Sequence, residues 1–251
     1  KWFDLMMANQ EDLAIIMTSE QGKPLAESRG EVAYGASFIE WFAEEARRVY
    51  GETVPVPFPN GRAIVIKQPV GVTACIAPWN FPLAIPVGMV SAALVTGNPV
   101  LFKPSDRSPG LGTLLTDIFI EAGVPAGCLT CLPGGPEIGQ ALIAHPQVVT
   151  IAFTGSKTVG LHILAEAARV SPGQPLVKRV IAEMGGKNAL IVDETADLDE
   201  AIAGVVASFS GYAGQKCSAC SRVIVHSPIY DSFVSRLREA VRSLDIGDRS
   251  R

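Results

Sequence analysis

Two short segments and a set of cysteines carry the residue types that could do chemistry. In Pro78-Trp79-Asn80-Phe81-Pro82 a single carboxamide is set between two aromatics and two prolines. Prolines restrict the backbone and aromatics exclude water, so Asn80 could be a rigidly aimed hydrogen-bond donor; the commoner role for an arbitrary Asn in such a place is a helix N-cap. At Phe153-Thr154-Gly155-Ser156 an apolar run, Val149–Phe153, enters a tight turn and then a helix carrying Gly160. Unpaired N–H groups and the positive end of a helix dipole suit such a corner to phosphate. It is not the G-x-G-x-x-G fingerprint, and neither is Gly134-Gly135-Pro136-Glu137-Ile138-Gly139, so a purely structural turn competes for both.

Cys217 with Cys220, and Cys128 with Cys131, each form Cys-x-x-Cys, which raises a zinc site or a redox dithiol. The spacing argues against both. Between Cys131 and Cys217 lie 85 residues, far beyond a metal-ribbon loop, and two cysteines three apart on a strand face opposite sides. Cys75, Cys128, Cys131 and Cys220 are therefore expected to be small buried apolar residues. His145, His162 and His226 have no carboxylate or cysteine at ligand spacing, so no metal site is expected. Five cysteines, an odd number in a chain of 251 residues, suit a reducing, cytoplasmic setting better than a disulfide framework.

The elements that must position these residues follow from periodicity. Lys1–Glu20 and Leu25–Val49 read as helices, the second with Phe38, Ile39, Trp41, Phe42 and Ala46 at helical intervals. Pro55, Pro57, Pro59 and Gly61 break helix, and Arg62–Pro69 reads as a projecting extended ribbon. From Gly71 short apolar runs alternate with amphipathic stretches, the signature of βαβ units and a parallel sheet. Strands are expected at Val72–Ile76, Pro99–Phe102, Cys128–Leu132, Val149–Phe153, Arg179–Ala182, Ala189–Val192 and Val223–Val225. Helices are expected at Ala84–Val95, Gly110–Ala122, Glu137–Ala144, Val159–Val170, Leu198–Tyr212 and Tyr230–Leu244, with a turn following through Asp248.

With 48% hydrophobic and 18% charged residues the chain can bury a substantial core. A net charge of -4 and scattered Lys and Arg argue against nucleic acid or an anionic membrane as partner, and no uncharged apolar run approaches the roughly 20 residues of a spanning helix. Lys1–Met7 reads as the inside of a helix, so the chain is expected to be a fragment of a longer polypeptide.

Taken together, Pro78–Pro82, Lys103-Pro104-Ser105-Asp106, Phe153–Ser156, Glu183-Met184-Gly185-Gly186-Lys187 and Gly214-Gln215-Lys216-Cys217 resemble the aldehyde dehydrogenase superfamily, in its motif order. Glu183 precedes Cys217 by 34 positions, a spacing similar to that family's between general base and nucleophile. The resemblance implies a Rossmann-like α/β fold: an NAD(P)-binding domain over 1–52 and 71–185, an oligomerisation ribbon over 53–70, and the beginning of a catalytic domain over 186–251. It implies Cys217 as nucleophile, Glu183 as base, and the Asn80 amide with the Cys217 N–H as oxyanion donors. NAD, or NADP, would lie along Ile76, Ala77, Pro78 and Trp79, with Lys103, Ser105 and Asp106 near the ribose, Gly135, Gly139 and Ser156 near the pyrophosphate, and Phe153, Thr154, Gly155 and Gly185 beside it. Asp106 stands where Glu is more usual, so the choice between the two cofactors is open.

Two subfamilies show through. Residues 1–70 are similar to succinate-semialdehyde dehydrogenases, whereas Gly88–Asn98, Val180–Lys187 and Gly214–Arg222 are more similar to L-glutamate γ-semialdehyde (1-pyrroline-5-carboxylate) dehydrogenases. The latter segments surround the nucleophile, which makes glutamate semialdehyde the first expectation and succinate semialdehyde the alternative, with Phe81 and Ser218 as substrate contacts. A homo-oligomer is expected of the full-length protein, and little turnover of residues 1–251 alone.

Overall fold

The computed structural model describes residues 1–247. Residues 248–251, including Asp248 of the expected turn and the end of the span assigned to a catalytic domain, lie outside the described residues.

Three helices lead the chain: α1 (Trp2–Ala8), α2 (Gln10–Gln21) and α3 (Leu25–Glu45). The single helix expected over 1–20 is broken at Asn9, whose side chain donates to Leu5 O at 2.8 Å and so competes with the helical ladder. A short antiparallel ribbon follows, β1 (Glu52–Val54) with β2 (Ala63–Val65). It begins earlier and pairs over fewer residues than the sequence suggests, because the prolines at 55, 57 and 59 fill the connection and lack N–H donors.

A five-stranded parallel sheet forms the body: β3 (Val72–Ile76), β4 (Val100–Lys103), β5 (Leu129–Cys131), β6 (Val148–Thr154) and β7 (Arg179–Glu183), in the order β5-β4-β3-β6-β7. Between successive strands run α4 (Ala84–Val95), α5 (Pro109–Ala122), α6 (Pro136–Ala144) and α7 (Lys157–Ala167). Alternation along β3 splits the core in two. Cys75 and Ala77 pack with Met17, Val87, Phe102 and Leu115 under the helical preface, while Ala74 and Ile76 pack with Ile143, Ile151 and Ile163 on the other face. Each fully buried Phe or Leu side chain contributes roughly 1.5–3 kcal/mol relative to exposure.

The preface also caps the sheet helices. Glu31 accepts the N–H groups of Leu83 and Ala84 at 2.9 and 3.0 Å at the start of α4, and Glu20 accepts those of Gly110 and Leu111 at 2.8 and 2.9 Å at the start of α5. A carboxylate beside unpaired N–H groups at the positive end of a helix dipole is favourable on both counts.

The last two expected strands do not join that sheet. β8 (Asn188–Val192) and β9 (Cys220–Val225) pair with each other, in parallel, across α8 (Leu198–Ser210). With α9 (Tyr230–Arg242) they enclose a separate small core around Val192, Ile202, Val205 and Phe233. Their other face is open: Ile191 and Ile224 are 74% and 54% exposed. No described helix is long and apolar enough to cross a membrane.

Candidate active site

β3 sits where the chain's course across the sheet reverses, with β4 on one side and β6 on the other. The crevice outside the carboxyl ends of strands at such a point is where open α/β sheets take ligands. A cleft of about 520 Å³ opens there, lined by Ala77, Pro78, Trp79, Asn80 and Phe81 after β3, by Lys103, Ser105 and Asp106 after β4, and by Phe153, Thr154, Gly155 and Ser156 after β6. Gly185 lines it after β7, and Gly214, Gln215, Lys216 and Cys217 close the far side. Beside it lies a depression of about 240 Å³ that shares Lys103 and Asp106 and adds Ile76, Gly135 and Gly139.

Fourteen of the site residues singled out from the sequence therefore share the cleft, and three more lie in the adjoining depression. Glu183 and Ser218 do not line either. Both are exposed, Glu183 at the end of β7 with its backbone carbonyl taking the Gly155 N–H at 3.0 Å. Each stands next to lining residues, Met184 and Cys217 respectively.

Sequence reasoning gave no site role to Ile85 and Val159 in the cleft, or to Gln140, His162 and Ile163 in the depression, and it quoted Met184 and Gln215 only as parts of motifs. Val159 and Ile163 are one turn apart on α7, so helical spacing from Ser156 was the available signal. His162 entered the sequence reading only as a histidine without a ligand partner at metal spacing. Cys128 and Cys131 are half-buried rather than buried, and Cys128 precedes β5 instead of lying in it. Cys75 and Cys220 are buried as expected, and burial pushes the Cys75 thiol up to about 12. Cys217 alone of the five is exposed.

The β6–α7 corner is built for close approach. Ser156 caps α7, its hydroxyl accepting the Val159 N–H at 3.3 Å. A side chain at Gly155 would place Cβ 2.6 Å from the Phe153 ring. Lys103 is buried, and desolvation holds its ammonium below the usual lysine range, opposed by Asp106 and Glu137; it donates to Pro104 O at 2.9 Å. A helix N-terminus, a buried lysine within the electrostatic reach of Asp106 and a shelf formed by Phe153, Val159 and Ile163 fit the phosphates, ribose and flat ring of a dinucleotide.

The thiol's side is a turn outside regular structure. The helix expected through Tyr212 ends at Ser210, and Gly211–Gly214 forms a 3₁₀ turn in which Tyr212 and Ala213 take positive φ of 51° and 53°. Such residues cost of order 1–3 kcal/mol each and persist only where surroundings enforce them. Here side chains do so. The Asn80 amide donates to Gln215 O at 2.8 Å, the Asn188 amide donates to Cys217 O at 2.7 Å and Ala219 O at 3.1 Å, and Lys216 pairs with Glu27 at 2.5 Å. The Tyr212 hydroxyl donates to Gln21, and burial raises that phenol to about 12. An exposed thiol, a carboxamide with a second N–H to spare, and a nucleotide-type corner thus face one cavity. That is a constellation for covalent attack on a carbonyl beside a bound cofactor.

The aldehyde dehydrogenase family profile matches residues 1–251, and the chain belongs to that family. It is 47% identical over 249 residues to the mitochondrial succinate-semialdehyde dehydrogenase of Arabidopsis thaliana, covering 99% of this chain and 46% of that protein. It is 45% identical to the NADP(+)-named succinate-semialdehyde dehydrogenase GabD of Escherichia coli strain K12, covering 98% and 50% respectively. Among solved structures, 1-pyrroline-5-carboxylate dehydrogenase from Thermus with bound NAD superposes with a TM-score of 0.94 at 40% identity, covering 100% of this chain and 49% of that one. The chain spans about half the length of the curated relatives it matches.

Proposed function

We propose that the protein carrying this chain oxidises an aldehyde to its carboxylic acid, with NAD or NADP as electron acceptor and Cys217 as the point of covalent attachment. The observation that carries this is the Asn80 amide bonded at 2.8 Å to the carbonyl of Gln215, two residues from the exposed Cys217 thiol, in one cleft with the β6–α7 corner. The Cys217 thiolate adds to the aldehyde carbon and the carbonyl oxygen becomes an oxyanion. The second Asn80 N–H and the Cys217 backbone N–H, which bonds to no described residue, are the donors for it, a contribution of about 3–4 kcal/mol per donor. The chemistry a nicotinamide bound by Lys103, Asp106, Phe153 and Ser156 supplies is hydride acceptance, which leaves a thioester on sulfur. A water, deprotonated by Glu183, adds to the thioester carbon; the acid departs and the thiol is regenerated. That role asks the exposed Glu183 carboxylate to turn inward.

For the substrate, a short aldehyde bearing a distal carboxylate suits both subfamilies. Succinate semialdehyde is supported by the names of the plant and E. coli relatives, and glutamate semialdehyde, with Ser218 and Phe81 as contacts, by the Thermus enzyme and by the segments around Cys217. We read the exposed ribbon, with Phe58, Ile64 and Ile66 outward, as pairing with another copy, and residues 186–251 as part of a second domain whose remainder covers Ile191 and Ile224. Five unpaired thiols suit a reducing compartment, read here as the cytoplasm. Steady-state rates of the complete protein on the two semialdehydes, each with NAD and with NADP, test the proposal. A Cys217→Ser variant retaining normal oxidation of both would overturn it.

A further inference from the structure

We propose that Lys23 is a positioning residue for this cleft: its buried ammonium locks the Asn80 backbone and the Tyr212–Cys217 turn to one another, setting the separation of oxyanion donor and thiol. This rests on the roles of Asn80 and Cys217 given above.

Lys23 lies at the elbow between α2 and α3, just after Gly22 in the left-handed conformation, and is 1% exposed. An ammonium has three donors and no acceptor, so each must find a partner in that setting. One goes to the Glu31 carboxylate and one to Asn80 O at 2.7 Å. The rest of the cation is covered by aromatic faces, Phe81 at 3.9 Å and Tyr212 at 4.8 Å from Nζ to ring centroid. The second Glu31 oxygen takes the N–H groups of Leu83 and Ala84. The pair therefore grips the segment bearing Asn80 from both ends, while the Tyr212 ring ties the same cation to the turn that bears Cys217.

Two further bonds from that elbow reach the same turn, Gln21 to Tyr212 and Glu27 to Lys216. The helical preface, which touches none of the reacting atoms, thus fastens both halves of the site. Stability does not account for the arrangement. A buried ion pair commonly contributes no more than a well-packed apolar replacement, so what it adds here is one fixed geometry where several would pack equally well. Tyr212 and Ala213 are the strained residues that such a clamp must hold.

Lys23→Met combined with Glu31→Gln in the complete protein removes both charges while keeping side-chain length, so neither is left buried alone. Small displacements of catalytic groups cost up to about 10²-fold. We expect kcat to fall about 10- to 100-fold, cofactor affinity to stay within about twofold, and Asn80→Ala to absorb the effect, the triple variant being no slower than Asn80→Ala alone. Tyr212→Leu, which removes the ring and the Gln21 bond but leaves the ion pair, is the second route should the charge-neutral pair not fold, and is expected to behave in the same way. An unchanged kcat, or the same fold-loss in the presence and absence of Asn80, would overturn the assignment of Lys23. Asn80→Ala at the parent rate would instead sink the oxyanion reading itself.

Discussion

On one side of the cleft, Ala77, Lys103, Ser105 and Phe153 sit at strand ends and are held by burial in two cores; on the other, Cys217 sits on an exposed turn with two residues at positive φ, held by side-chain bonds from Asn80, Asn188, Glu27 and Gln21. The first wall is a consequence of packing a sheet between helices. The second is a consequence of a few polar tethers, each coming from far along the chain. Burial is cooperative and tolerant of polar change at the surface, whereas a tethered turn loses its geometry when one amide is removed. Mutations on the two sides should therefore separate into losses of fold or cofactor affinity and losses of rate.

The largest separation is expected from Phe102→Ala. Phe102 is fully buried in β4 next to Lys103, and its truncation should cost about 3–5 kcal/mol by denaturant unfolding. The protein that remains folded should keep its kcat; a stable variant with a lost kcat would break the division. Next comes Asn188→Ala, which frees the carbonyls of Cys217 and Ala219. Here kcat should fall about 10- to 100-fold with little change in unfolding midpoint or cofactor affinity, since Asn188 is exposed. The smallest effect is expected from Gly155→Ala. Its Cβ meets the Phe153 ring at 2.6 Å, so the corner must shift and the dissociation constant of NADH, measured by fluorescence titration, should rise about tenfold while kcat at saturation holds.

The same contrast decides what could be read from the sequence. β3 and α4 fall at Val72–Ile76 and Ala84–Val95, as expected from their patterns, because hydrophobic period, Gly71 and Pro82 are local signals. The residues of the packed wall lie at the ends of those elements and were legible with them. The tethers were not. Nothing near Lys23 in sequence announces Asn80, Phe81 or Tyr212 as its neighbours, and nothing near Asn188 announces Cys217.

One expected helix and one strand pair show where local pattern stops being informative. The helix through Tyr212 was a fair reading of periodicity, but Gly211 and Gly214 let tertiary tethers override it. The strands expected at Ala189–Val192 and Val223–Val225 do form, but their pairing only with each other, with one face left open, was not legible. Apolar character says that a face seeks cover and does not say which part of a protein provides it.

The central claim is that carbon–sulfur bonding occurs at Cys217 in this cleft. It is tested most directly by trapping: complete protein carrying Glu183→Gln, mixed with a semialdehyde and NAD, quenched in acid and digested for mass spectrometry. The account predicts one burst of NADH per active site and an acyl mass on the peptide containing Cys217, with Cys75, Cys128, Cys131 and Cys220 unmodified. A burst with no adduct at Cys217, or an adduct on one of the other four thiols, would contradict it.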